Sequence, residues 1–386
     1  MKFINKRAEK LKQGAIRAMF DRAVGLDDVI SMGIGEPDMK TPDEICEVAV
    51  KALHSGNTHY TPNAGTLDCR KAISKFNHNN MYDPKTEIIV TPGGMGALSL
   101  ALSVLLDEDD EVIIQDPQWL NYAGQIQFFG GTSIPVPAWE KNGFIWDPKD
   151  IEQHITKNTK VIMVNSPNNP TGKIIPQNVL QEIANIAIKY DLLVISDEVY
   201  NTLYYEEKPI SISSLKGMKG RTLVINSMSK CFAMTGWRLG YAAGPSEIIQ
   251  KMVQAQENMS ACANSIAQES AVYALAHPEF SASLRETFAK RRQLLLTGLE
   301  KVKGISLNVP DGAFYVFANI KTFGLSSYDF CMQLLDSEKV VCIPGSAFGE
   351  HGEGYIRIAY TCSEDNIHEA VSRIQRFCEC LGRNSK

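Results

Sequence analysis

VIMVNSPNNPTG, residues 161–172, holds a short apolar run that stops abruptly. Val161 to Val164 is too short for a helix, and Asn165-Ser166-Pro167 ends it. Such a run, with no polar alternation, reads as a strand buried on both faces. Three more behave alike. Val112-Ile113-Ile114 stops at Asp116-Pro117, Leu192 to Ile195 at Ser196-Asp197, and Thr222 to Ile225 at Asn226-Ser227. Amphipathic stretches lie between them, such as Gln177 to Tyr190 after Pro176. This alternation predicts an α/β domain with a mostly parallel sheet. The pattern changes after His277-Pro278. Ser281 to Val302 predicts one long helix with a basic middle, followed by short strands near Phe314–Phe317 and Tyr355–Tyr360 and a closing helix from Ser363. A chain of 386 residues exceeds one ordinary core. The expected division is a large domain over 46–280 and a smaller α+β domain built from 1–45 and 281–386.

Composition narrows the function classes. The net charge is −5 and the pI about 5.9, so there is no electrostatic footprint for nucleic acid. The nine cysteines are scattered, without a C-x-x-C pair or zinc spacing, so no metal is expected. They read as free thiols in a reducing compartment. Met1 to Lys12 lacks the apolar core of a leader, and Ala97 to Leu106 is too short and serine-interrupted to span a membrane. A cytoplasmic location is the expectation.

In a parallel α/β sheet, ligands bind outside the carboxyl ends of the strands. Asn169, Asp197, Ser227 and Lys230 all fall near such ends. A positioned, partly desolvated Lys230 can form an imine with an aldehyde, although a lone lysine is more often a surface residue. Asp197 can keep a pyridine nitrogen protonated, or it can cap a helix. Asn169, in a turn built by two prolines and a glycine, and Tyr200 can donate to a ring oxygen; a plain turn is the other reading of Asn169. T-P-G-G-M-G-A-L (91–98) places glycines before a helix, where backbone N–H groups can approach an anion. Gly94 and Met95 would contribute there, with Ser227, Ser229 and Arg238 completing the cradle. Trp119, in a loop after a strand, can stack on a flat ring or fill a core. Arg357 lies inside the apolar run Y-I-R-I-A-Y, residues 355–360. A charge there needs a partner, either a ligand carboxylate or an internal salt bridge.

Together these pieces resemble the fold-type-I aminotransferases of class I/II, the aspartate and aromatic aminotransferase superfamily. The resemblance covers nearly the whole chain. It runs from I-S-M-G-I-G-E-P-D (30–38) and H-Y-T-P-N-A-G (59–65) through N-N-P-T-G (168–172) and S-D-E-V-Y (196–200) to S-M-S-K-C-F-A-M-T-G-W-R-L-G-Y (227–241), G-A-F-Y (312–315), P-G-S-A-F-G (344–349) and Y-I-R-I-A-Y. It implies a mostly parallel seven-stranded sheet flanked by helices, with pyridoxal 5'-phosphate as cofactor. It implies Lys230 as Schiff-base lysine and proton shuttle, Asp197 as pyridinium partner, and Asn169 and Tyr200 as donors to the ring oxygen. Gly94, Met95 (by backbone), Ser227, Ser229 and Arg238 are then the phosphate shell, and Trp119 stacks on the ring. Arg357, with Gly35 and Asn169, is then the α-carboxylate clamp. Tyr60 matches a residue that reaches the neighbouring subunit's phosphate, which implies a homodimer.

The implied activity is ping-pong transfer of an amino group from an L-amino acid to a 2-oxo acid. Dicarboxylate-specific relatives place a second basic residue at the position of Met95, or supply it from the partner near 258–264. Here that stretch reads N-M-S-A-C-A-N. I-R-A-M-F-D-R-A (16–23) with G-I-G-E-P-D looks more like the aromatic and alanine-type branch. An aromatic or neutral donor with 2-oxoglutarate or pyruvate as acceptor is therefore expected. The alternatives are an aspartate aminotransferase, a carbon–sulfur β-lyase on the same cofactor shell, or a sensor module. A sensor module would need an attached DNA-binding domain, for which there is no room before Ile30. A dinucleotide enzyme lacks its G-x-G-x-x-G.

Overall fold

The computed structural model describes residues 3–9, 11, 19 and 21–384. The 16–23 motif and the stretch Met1 to Lys12 fall partly outside the described residues. Strand β1 (Ile30–Ser31) is the first among the described residues. The large sheet takes β2 (Ile88–Thr91), β3 (Glu111–Asp116), β4 (Thr132–Pro137), β5 (Thr159–Asn165), β6 (Leu193–Asp197), β7 (Thr222–Ser227) and β8 (Gly240–Ala243). Their spatial order is β2-β8-β7-β6-β5-β3-β4. Strands β3 to β7 pair in parallel, and β8 runs antiparallel to both of its neighbours. This is the mostly parallel seven-stranded sheet expected.

Helices α1 (Gly93–Leu105), α2 (Asn121–Phe128), α3 (Gln177–Lys189) and α4 (Met228–Cys231) connect or follow these strands. Strand β5 shows why its residues carry no polar alternation. Val161 and Met163 pack on one face with Ala97, Leu98 and Leu102 of α1. Ile162 and Val164 pack on the other with Ile183, Ala184 and Ala187 of α3. Each fully buried aliphatic side chain contributes roughly 1.5–3 kcal/mol, so both faces must stay apolar.

One expectation needs correction. Helix α1 begins at Gly93, so Gly93 and Gly94 form its first turn and do not precede it. Glycine propensity argues against a helix there. Close packing overrides it. Gly93 has φ +77°, and a side chain on it would lie 2.6 Å from the Arg238 guanidinium.

The rest of the chain builds a second, antiparallel sheet from β9 (Ser306–Asn308), β10 (Tyr315–Asn319), β12 (Ile343–Pro344) and β13 (Tyr355–Ala359), with β11 (Val340–Val341) beside it. The order is β12-β13-β10-β9. Helices α5 (Glu279–Leu299), α6 (Ser327–Glu338) and α7 (Glu364–Asn384) bury Leu295, Leu299, Phe330, Leu334, Ile367 and Ile374 in the same core. Strand β1 pairs in parallel with β11, so the early residues pack on this part of the molecule. Among the described residues no helix is long and apolar enough to cross a membrane.

Register positions the site. Ser227 of β7 lies opposite Gly240 of β8, and Gly240 lies opposite Thr91 of β2. The antiparallel β8 thus carries the Thr91–Gly94 turn to the same sheet edge at which β5, β6 and β7 end. The approach is close: a Cβ on Gly240 would lie 2.4 Å from the Gly93 carbonyl carbon and 2.5 Å from the Gly94 nitrogen. Gly240→Ala should therefore lower stability by about 1–3 kcal/mol, read as a fall in the urea midpoint at unchanged m-value.

Candidate active site

The carboxyl edge of the large sheet meets the small sheet in a cavity of about 230 Å³. Gly35, Gly94, Met95, Trp119, Asn169, Asp197, Tyr200, Ser227, Ser229, Lys230, Arg238 and Arg357 all line it. Of the residues expected at the site, only Tyr60 lies outside, 89% exposed on the surface.

Lys230 sits in α4, whose first turn is capped by Ser227 accepting from the Ser229 N–H. Its Nζ donates to the Gly35 carbonyl at 2.5 Å. Burial, reinforced by Arg357 and Arg238, brings its pKa down to about 8 against the pull of Glu36 and Asp197. Such an amine can give and take a proton near neutral pH.

Asp197 closes β6 on the cavity floor and is buried. Burial pushes its pKa up to about 6, opposed by hydrogen bonds from Tyr122 and Val199. The Tyr122 hydroxyl donates to Oδ2 at 2.6 Å and the Val199 N–H to Oδ1 at 3.3 Å. Asn165, one strand over, donates from Nδ2 to the Asp197 carbonyl and accepts the Asn169 N–H on Oδ1. The 165–172 turn is thereby tied to the strand end that carries the carboxylate.

Arg357 is 1% exposed. It donates to Asn169 Oδ1 at 2.9 Å and to the Gly33 carbonyl at 2.6 Å, and its Nε has no hydrogen-bond partner among the described residues. Its guanidinium carbon lies over the Tyr315 ring at 4.5 Å and over the Phe348 ring at 4.8 Å. No carboxylate of the described residues pairs with it, so the internal salt bridge considered from sequence is absent there. A buried, unneutralised cation beside open space is arranged to meet an anion. The carbonyl beside Arg357 is that of Gly33; Gly35 serves Lys230 instead.

Arg238 is exposed at the cavity mouth, held by its Nη1 donating to the Thr235 carbonyl at 2.8 Å. It faces the first turn of α1, whose N–H groups have no intrahelical acceptors. Trp119 is half-buried and lies edge-on to Tyr122 at 5.2 Å. The Tyr200 hydroxyl meets that of Tyr315 at 2.8 Å, and burial raises the Tyr200 pKa well above the usual phenol value.

Tyr122, Tyr315 and Gly33 escaped the sequence reading. G-A-F-Y (312–315) suggests no role for its tyrosine, and Tyr122 lies 75 residues from the carboxylate that it serves. Only the strand-end logic, extended into α2, would have found it.

The aminotransferase class I and II family profile matches residues 27–374. The chain belongs to this family. Aromatic-amino-acid aminotransferase 2 of Thermococcus litoralis is 40% identical over 380 residues, 97% of each chain. An aspartate aminotransferase of Pyrococcus abyssi is 41% identical over 377 residues, 96% of this chain and 97% of that one. The crystal structure of an aromatic aminotransferase from Pyrococcus horikoshii superposes with a TM-score of 0.89 at 40% identity, covering 94% of this chain and 98% of the other. This class I/II aminotransferase is a transferase of amino groups, and its family uses pyridoxal 5'-phosphate.

The raised pKa of Asp197 has a stability consequence in the cofactor-free protein. The unfolded chain ionises this carboxyl near 3.8 and the folded chain near 6, so stability falls as pH rises between those values. Asp197→Asn removes that loss. The apoprotein variant should gain up to about 3 kcal/mol above pH 6 and nothing near pH 3.5, read from urea unfolding across pH.

Proposed function

We propose that this aminotransferase takes an aromatic or neutral L-amino acid as donor and 2-oxoglutarate or pyruvate as acceptor, in two half-reactions over one site with ping-pong kinetics. The observation that carries the donor choice is the count of cations in the cavity. Lys230, Arg238 and Arg357 are the lysines and arginines that line it among the described residues. Each has a task, so none remains for a side-chain carboxylate. Met95 stands at the mouth, 38% exposed, with its sulfur accepting from the Gln125 amide.

The residues fit pyridoxal 5'-phosphate. A desolvated lysine, a buried carboxylate and a cationic helix N-terminus match its aldehyde, its pyridine nitrogen and its phosphate. Lys230 would hold the aldehyde carbon. Asp197 would keep the proton on the ring nitrogen, and Asn169 and Tyr200 would donate to the ring oxygen. With Asn169 Oδ1 taken by Arg357, its Nδ2 is the end left to donate. Gly94 and Met95 (by backbone), Ser227, Ser229 and Arg238 would hold the phosphate, and Trp119 would stack on the ring. When bound, the cofactor supplies an electron sink for the carbanion formed at the substrate α-carbon.

Arg357 then grips the substrate α-carboxylate, with Gly35 and Asn169 shaping the space around it. The grip turns the α-hydrogen toward Lys230, which, once the substrate amine has displaced it from the aldehyde carbon, would remove the proton as a neutral amine and later return it. Burial of Asp197 and Lys230 keeps water from competing for that proton. In this proposal Tyr60 reaches the site of a second copy in a homodimer, and its exposed position supports that reading. The two-domain division over 46–280 and 1–45 with 281–386 belongs to the same proposal, supported by the pairing of β1 with β11. So does a cytoplasmic location, supported by nine free cysteines.

An absorbance scan of the holoenzyme tests the reading. Wild type with pyridoxal phosphate should show an imine band that Lys230→Ala lacks, with turnover reduced by at least about 10²-fold. L-phenylalanine or L-alanine should bleach the band more efficiently than L-aspartate. A preference for aspartate would overturn the donor assignment, and pyruvate with ammonia formed from cystathionine or cysteine without an added oxo acid would mark a β-lyase.

Met95→Lys supplies the missing cation. It should raise kcat/KM for aspartate relative to phenylalanine by roughly tenfold, the lower end for a charge-assisted hydrogen bond because the position is partly exposed.

A further inference from the structure

The two halves of the site are carried by different sheets. Trp119 follows β3 of the large sheet, and Arg357 lies in β13 of the small one. Just before each, one segment is stitched to the other. Asp116, the last residue of β3, has a side chain only 5% exposed. Its Oδ2 accepts from His351 Nδ1 at 2.8 Å, and the His351 backbone N–H reaches Oδ1 and Oδ2 at 3.3 and 3.4 Å. The Gln118 N–H donates to the Phe348 carbonyl at 2.8 Å. Gly349 makes the approach possible: its φ is +132°, and a Cβ there would lie 1.9 Å from Asp116 Oδ1. The Trp139 ring meets the His351 imidazole edge-on at 4.6 Å and fixes its plane.

This stitch bears on the cation beyond it. Phe348, held through its carbonyl, is one of the two rings against the Arg357 guanidinium. We propose that His351 is a positioning residue, whose bond to Asp116 locks segment 348–351 against the end of β3 and so sets where Arg357 stands relative to Trp119 and Lys230. The side-chain bond is the short one of the set; the backbone N–H alone is shared between two oxygens at longer range. Without the imidazole, a buried carboxylate loses its best donor and the loop loses its anchor. Both neutral imidazole with a proton on Nδ1 and imidazolium donate this bond, so the latch needs no particular charge on the ring.

The inference rests on Arg357 as the carboxylate clamp, and steady-state kinetics of the holoenzyme separate the two. Arg357→Ala tests the clamp and should raise KM for both amino acid and oxo acid. His351→Ala should raise both KM values about three- to tenfold, with kcat within about twofold and the cofactor absorbance of wild type. His351→Asn keeps an N–H donor near the place of Nδ1 and should return KM to within about twofold of wild type. An unchanged KM in His351→Ala, or an equal rise in His351→Asn, overturns the latch while leaving the clamp standing. An unchanged KM in Arg357→Ala overturns the clamp and the latch with it. A histidine that merely stabilised the fold would lower the thermal midpoint of His351→Ala and leave KM alone.

Discussion

Three backbones lie side by side where Thr91, Gly240 and Ser227 share one register. Everything chemical in this protein depends on that contact. A parallel sheet alone brings Asn165, Asp197 and Ser227 to one edge. It does not deliver the glycine turn of 91–94, because β2 lies beyond the parallel set. Strand β8 runs the other way and supplies the bridge, and its first residue has no side chain to hold the turn at a distance. Cradle, lysine and carboxylate are thus fixed by main-chain geometry, the least adjustable part of a protein.

On this frame the site accumulates unfavourable electrostatics. Asp197 and Lys230 are each held away from their ordinary ionisation by burial, and Arg357 sits nearly sealed without a carboxylate. None of these helps the chain to fold. The cavity gathers all three within one lining. Tyr122 and Asn169 limit the cost by giving the buried charges hydrogen bonds that do not neutralise them.

The sequence spoke most clearly where burial left no freedom. Strands β3, β5, β6 and β7 are short Val/Ile runs because both faces are covered, and the chemistry follows at their ends. Strand β8, Gly-Tyr-Ala-Ala, has little intrinsic preference for a strand and owes its form to its neighbours. The first turn of α1 was hidden for a related reason, since its glycines serve close approach and not helix propensity. Arg357 stood out as a charge in an apolar run, but its companions did not. Gly33 meets Arg357 across 324 residues of sequence, Tyr315 meets Tyr200 across 115 and His351 meets Asp116 across 235, and no local pattern records such pairings.

Strand β4 closes the sheet on one side and, among the described residues, pairs only with β3. It carries Pro135 and Pro137, which have no N–H to offer. An open edge with a full row of donors is a template on which another chain can grow a further strand. Here the Thr132 and Ala138 N–H groups face β3, so Pro135 and Pro137 fall in the outward row and leave it two donors short. The imino rings that obscure β4 as a strand therefore act as a guard against edge-to-edge aggregation, and they do so at the border farthest along the sheet from β2 and its glycine turn.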